Sequence, residues 1–172
     1  MTDTQTVANW YNLNANLEHD RLILDLGGGT GRYAVKLAQL GHAVILVDIS
    51  QSELDVARLF AAQSGVSLAG IQQADARHIR QYASSILKMG DGDEGYDLIL
   101  CQGPLYHLME ESERLEVVCV CACAAMLRPG GFFLAAFVTK FAHLRDLAQR
   151  DPMRLWEEQT SFYRDYLFFF WR

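Results

Sequence analysis

The stretch Asp25-Leu26-Gly27-Gly28-Gly29-Thr30-Gly31 stands between a short apolar run, Leu22 to Leu26, and residues at helical apolar spacing, Tyr33, Ala34, Leu37 and Ala38, that stop at Gly41. Glycines there permit a tight reversal and let a backbone approach a ligand with no Cβ in the way. The order is therefore strand, tight turn, helix. The same order recurs downstream. Ala43 to Val47 is a β-branched apolar run, and Ser50 stands three residues before Glu53, the spacing of a capping box, ahead of a helix ending near Gly65. Gly70 to Gln73 predicts a short third strand, Ala76 to Met89 a helix, Gly90 to Gly95 a solvated turn, and Tyr96 to Cys101 a fourth strand. Leu115, Val118, Cys119, Ala122, Cys123 and Met126 form a helical stripe; Pro129-Gly130-Gly131 breaks it before the strand-like run Phe132 to Val138.

Strands alternating with helices predict an α/β fold: a doubly wound, mostly parallel, Rossmann-like sheet with helices on both faces. In such sheets ligands bind beyond the carboxyl ends of the strands, where strand order reverses. The 172 residues suit one domain, read as an N-terminal cap segment (1–21), an α/β core (22–138) and a helical, aromatic extension (139–172).

Composition removes several classes of function. The 21 acidic residues exceed the 15 Lys and Arg, a net charge of −6, so no general excess of cation is available to follow phosphates, and nucleic acid is not the expected partner. The longest apolar stretch, Val117 to Leu127, is short of the roughly 20 residues that cross a bilayer, so no membrane partner is expected. The first residues lack a basic start followed by an apolar block, which makes the cytoplasm the expected location. Cys101, Cys119, Cys121 and Cys123 include no C-x-x-C pair, and helical two-residue steps scatter the last three thiols, so core packing is expected rather than a metal site.

The glycine turn departs from two phosphate-binding patterns. A dinucleotide fingerprint begun at Gly27 requires glycine where Arg32 stands, and no Lys-Ser/Thr pair follows as a P-loop requires. NAD and ATP are thereby demoted. Asp48 ends the second strand about 20 residues after the turn, where a carboxylate can accept hydrogen bonds from ribose hydroxyls; the competing role is that of a partner for the next helix dipole.

The remaining spacing, D-x-G-x-G-x-G, resembles the first motif of class I S-adenosylmethionine-dependent methyltransferases. Four more segments agree in order: Asp48 after the second strand, Gln73-Ala74-Asp75-Ala76-Arg77 after the third, Asp97 to Leu108 around the fourth, and Leu127-Arg-Pro-Gly-Gly131 before the fifth. Together they cover Leu22 to Val138, and Gly103-Pro-Leu-Tyr-His-Leu108 is similar to relatives acting on small molecules. The resemblance implies S-adenosylmethionine as cofactor. It implies that Gly27, Gly29 and Gly31, with Gly28 between them, admit its methionine and ribose portions, that Asp25 helps orient the polar end directly or through water, and that Cys101 and Gln102 line the methionine side. It places Ile49 beside Asp48 and gives the adenine amino group to Asp75, with the Ala76 N–H meeting the ring, although an Asp before a helix is also an ordinary N-cap.

If the acceptor is a hydroxyl, His107 is the group placed to take its proton and Tyr106 to orient it; the alternative is local packing of both. Tyr11, with Trp10, either closes over the cofactor or anchors the N-terminus. The resulting expectation is methyl transfer to a small molecule, and the alternative is a protein of the same fold that binds the cofactor without transfer. The chain departs from the family at both ends. Glu18-His-Asp-Arg21 runs almost directly into Leu22, so a shortened lid is expected, and Thr139 to Arg172 is brief for two further strands. The aromatic end, Tyr166-Leu-Phe-Phe-Phe-Trp171, is expected to close a sheet edge, fill the core or pair two chains as a homodimer.

Overall fold

A computed structural model describes residues 21–89, 95–124, 126–138, 142–151 and 153. The chain divides into two compact units, the first ending at Ala136 and the second beginning at Phe137. The first unit runs β1 (Leu22–Leu26), α1 (Arg32–Gln39), β2 (Ala43–Asp48), α2 (Gln51–Gln63), β3 (Gly70–Gln73), a 3-10 turn (Ala76–His78), α3 (Ile79–Met89), β4 (Tyr96–Cys101), a second 3-10 turn (Pro104–Tyr106), α4 (Glu111–Val118), a π-helical turn (Cys119–Ala124) and β5 (Leu127–Ala135). In the second unit, α5 (Ala142–Arg150) carries an ion pair from Arg150 Nε to Asp146 Oδ1 at 2.9 Å.

The sheet is five-stranded in the order β3-β2-β1-β4-β5, and every pairing is parallel. The chain winds outward from β1 to β3, then returns to place β4 on the other flank of β1. The order reverses between β1 and β4, and their carboxyl ends carry the glycine turn and the Gly103-Pro104 segment. Strand parity divides the core. Leu22, Leu24 and Leu26 pack with Ile79, Ala83 and Ile86 of α3 and with Val117, Val120 and Cys121, whereas Ile23, Val44 and Leu46 pack with Ala34 and Leu37 of α1 and Leu54 and Ala57 of α2. Both faces are thus apolar, which is why the inner strands read as continuous hydrophobic runs.

At the opposite end from the crevice, Asp97 is 8% exposed and accepts from Leu22 N–H at 2.8 Å while pairing with Arg21 at 3.2 Å and Arg128 at 2.6 Å. This carboxylate clamps the starts of β1 and β4. Among the described residues no helix is long and apolar enough to cross a membrane.

Three expectations change in detail. The helix expected from Ala76 opens as a 3-10 turn because the Asp75 side chain caps it at the Arg77 N–H, and regular helix starts at Ile79. The last strand runs Leu127–Ala135 rather than Phe132 to Val138: Leu127 already pairs with Tyr96, and Pro129-Gly130-Gly131 lies inside a register shift before Leu98 meets Phe132. The stripe from Leu115 leaves α-helical geometry after Val118, and its wider π turn buries the adjacent Val120 and Cys121 together while Cys119 is exposed.

Candidate functional site

The glycine turn is held by the ends of two strands. Gly27 and Gly28 N–H donate to Val47 O at 2.7 and 3.3 Å, and Gly31 N–H closes back on Gly28 O at 3.0 Å. Gly27, Gly29 and Gly31 take φ of 70°, 54° and 76°, the left-handed region that side chains disfavour. Gly27 also lies against the Pro104 ring, where a Cβ would overlap it, and a Cβ on Gly103 would come within 2.7 Å of Gly27 O. The turns after β1 and β4 therefore fit each other only with glycine at 27 and 103.

Asp48 braces this turn. Its Oδ2 accepts from Gly29 N–H at 2.9 Å and its Oδ1 from Ser50 N–H at 2.9 Å. Ser50 in turn accepts from Glu53 N–H at 3.4 Å, so the capping box of α2 is half formed by Ser50 while Asp48 occupies the Ser50 donor. Asp48 thus serves the start of α2 and also lines the crevice.

A cavity of about 690 Å³ opens above these elements. That volume lies within the range of small-ligand sites, roughly 300–1,000 Å³. Gly27, Gly29, Asp48, Ile49, Asp75 and Ala76 share its wall, and Tyr106 and His107 line it from the far side. Tyr106 is 39% exposed, and its ring stands 4.6 Å from the His107 ring at a tilt of 51°. Neither ring is committed to the core.

Other expected residues lie elsewhere. Asp25 is fully buried and does not line the cavity: odd strand parity turns it under α1, where Oδ2 accepts from Ala34 N–H at 3.2 Å. Gly31, the N-cap of α1, has no side chain to offer, so Asp25 supplies the cap from a neighbouring strand. Burial pushes its carboxyl up to about 7; the Ala34 N–H opposes this and the charge of Asp48 adds to it. Gly28 is absent from the wall because it faces inward, where a Cβ would stand 2.5 Å from Asp25 and Leu46. Gly31 is absent because it packs on Ala57 of α2. Cys101 is fully buried and its thiol is pushed up to about 12, mainly by burial, so it supports the floor of the crevice and does not enter it. Gln102 is half-buried just beyond β4 and also lies off the wall. Tyr11 and Trp10 lie outside the described residues, as does the aromatic end.

Sequence reasoning missed Arg77, Glu113 and Met109 as wall residues. Arg77 was readable only as the residue after the Asp75-Ala76 pair. Glu113, in the first turn of α4, looks like any acid stabilising a helix start.

Comparison with known proteins follows the same boundaries. A family model described as a methyltransferase domain matches residues 23–131. A ubiquinone biosynthesis O-methyltransferase of Chelativorans sp. (strain BNC1) is 33% identical over 118 residues, which cover 69% of this chain and 40% of that protein. Among solved structures, an S-adenosylmethionine-dependent methyltransferase from Clostridium acetobutylicum ATCC 824 superposes with TM-score 0.64 at 20% identity over 85% of this chain and 52% of that one. One from Geobacter sulfurreducens, in complex with S-adenosyl-L-homocysteine, gives TM-score 0.55 at 24% identity over 77% and 47%. The chain thus spans about two fifths of the curated relative and about half of the solved ones. The matched segment holds the glycine turn, the reversal between β1 and β4 and the whole of β2, β3 and β4, and on that match the chain belongs to the methyltransferase-domain family.

Proposed function

We propose that residues 22–138 are the S-adenosylmethionine-binding core of a methyltransferase acting on a small molecule. The observation that carries this reading is the convergence of Gly29, Asp48 and Asp75 on one cavity at the strand-order reversal. The wall suits such a ligand in shape, because Gly27 and Gly29 leave backbone where side chains would stand, and in charge. Asp48, Asp75 and Glu113 outnumber Arg77 on the wall, an excess of negative charge facing a cationic sulfonium.

When bound, S-adenosylmethionine supplies an electrophilic methyl group on a positively charged sulfur. The protein aligns and shields it. The glycine turn receives the methionine and ribose portions, Asp48 keeps lone pairs for ribose hydroxyls beyond its two backbone bonds, and Ile49 covers the nucleoside with apolar surface. Asp75 and the Ala76 N–H read the adenine edge. Asp25 acts through α1 rather than by touching ligand. Holding two reactants in line and away from water accounts for much of the rate in such reactions. His107, exposed at the acceptor side, receives a proton if the acceptor is a hydroxyl, and Tyr106 orients the same substrate.

The cytoplasm is the proposed location. The aromatic segment Tyr166 to Trp171 is the proposed contact of a homodimer, on the strength of its sequence alone.

Equilibrium titration with S-adenosylmethionine, S-adenosylhomocysteine and NAD tests the cofactor. The first two are expected to bind, Asp48→Ala is expected to weaken them about tenfold or more by losing a charged acceptor, and a preference for NAD overturns the reading. Transfer of a labelled methyl group to a metabolite extract tests the activity. His107→Ala is expected to lower it about a hundredfold for a hydroxyl acceptor while leaving cofactor affinity unchanged. Tight binding without transfer to any fraction favours the noncatalytic alternative.

A further inference from the structure

Asp75 is held at several points before any ligand arrives. It caps the 3-10 turn, with Oδ1 accepting from Arg77 N–H at 2.9 Å. The Arg77 side chain folds back on the same carboxylate: Nε lies 3.1 Å from Oδ1 and 3.0 Å from Oδ2, and Nη2 lies 2.6 Å from Oδ2. The free end of the guanidinium is anchored on α4, Nη1 standing 3.4 Å from Glu113 Oε1. One helical turn later the pattern repeats, Arg80 Nε to Glu116 Oε1 at 3.2 Å, so two ion pairs tie the Asp75 segment to α4.

This arrangement has a chemical consequence at the wall. An ionised carboxylate accepts only, and it offers about four lone-pair sites. The Arg77 backbone N–H and guanidinium engage both oxygens, Oδ1 from the N–H and Nε and Oδ2 from Nε and Nη2. The carboxylate is thereby held in one orientation, as an acceptor only, on a residue that lines the cavity. An exocyclic amino group on a purine matches such an acceptor, whereas a 6-oxo purine sets oxygen against oxygen. The guanidinium next to Asp75 holds its carboxyl below the usual carboxylate range, which keeps the acceptor from becoming a donor.

We propose that Arg77 is the positioning residue that sets nucleobase choice in this cavity, by orienting the Asp75 carboxylate as an acceptor for an amino group. The inference rests on the reading of the cavity as a nucleoside-cofactor site. Asp75 touches the base, and Arg77 acts through it.

The readout is a ratio that general loss of structure does not move. Calorimetric affinities of the full chain are measured for S-adenosylhomocysteine and for its deaminated analogue S-inosylhomocysteine. The wild type is expected to prefer the amino form, and Arg77→Gln, which cannot form the two-pronged contact, is expected to reduce that preference about tenfold. Because the pair is partly exposed, its loss is expected to leave the melting transition nearly in place. Glu113→Gln removes only the outer anchor, so it is expected to reduce the preference about two- to threefold, and it serves as the test if Arg77→Gln folds poorly.

Asp75→Asn combined with Arg77→Gln is expected to show no further loss of preference than Asp75→Asn alone. Wild-type binding with a ratio that neither the Arg77 nor the Glu113 variant changes overturns this inference and leaves the cofactor reading standing. Wild-type protein that binds neither nucleoside overturns both.

Discussion

Gly27→Ala is expected to lower the unfolding free energy by about 2–5 kcal/mol and to abolish measurable binding of S-adenosylhomocysteine. Two costs add. Gly27 sits at φ 70°, where an L-residue is destabilised by about 1–2 kcal/mol. A Cβ there also overlaps the Pro104 ring, and relieving that overlap must move the turn after β4 away from the turn after β1. Overpacking of this kind costs about 1–3 kcal/mol. The ring has little freedom to yield, because Leu105 beside it is buried and Pro104 O accepts from His107 and Leu108 N–H.

Gly65→Ala provides the control. Gly65 has φ 69°, and a Cβ added there would meet nothing within 4 Å, so this variant carries the backbone cost without the crowding. Urea midpoints of the two variants separate the terms. Equal losses would show that the two turns are not pressed together as the geometry requires. Binding should suffer only in Gly27→Ala, since the same movement displaces Gly103 and the His107 loop from the cavity wall.

The elements of the sheet were largely legible because their signals are local. Four apolar runs punctuated by glycine and by helix stops translate directly into β1 to β4, the weak run Gly70 to Gln73 over those same residues, whereas β5 starts five residues before its run. Asp48 and Asp75 were legible as wall residues because Asp48 ends a strand and Asp75 stands two residues past one, and the parallel winding carries such positions to one edge of the sheet. Asp25 was not legible in this way. It too stands at the end of a strand, but its place on the wall depends on which strand face points at α1, and the apolar residues on both sides of it hide that parity.

Arg77 and Glu113 were missed for a different reason. Their pairing joins residues 36 apart in sequence, and neither residue type is unusual where it stands. The π turn at Cys119–Ala124 left no mark at all, since its alternating small and apolar residues satisfy an α-helical stripe equally well.

Asp25→Asn is expected to stabilise the protein by about 2–4 kcal/mol at pH 8 while changing little at pH 4. The sign follows from proton uptake. The Asp25 carboxyl ionises near 3.8 in the unfolded chain and is pushed up to about 7 in the folded one, chiefly by burial. Below pH 4 both states carry the proton and the stabilities match. Between pH 4 and 7 the unfolded chain releases it while the folded chain keeps it, so stability falls as pH rises, by up to about 1.4 kcal/mol per pH unit. Above pH 7 both states are ionised and the loss is complete.

The groups facing Asp25 sustain this direction: the Asp48 carboxylate repels its charge, the Cys101 thiol stays neutral, and the Ala34 N–H is the one contact that favours ionisation. Asn keeps an acceptor for Ala34 and carries no proton to lose. Urea midpoints of both proteins from pH 4 to 8 give the difference directly. Asp75, held low by Arg77, titrates alike in both and cancels. A difference that is flat with pH, or a variant weaker at pH 8, would mean that Asp25 is charged and compensated beneath the turn. The expected result instead makes Asp25 a neutral helix cap through mildly acidic pH, which costs stability only once the pH is high enough to ionise it in the unfolded chain.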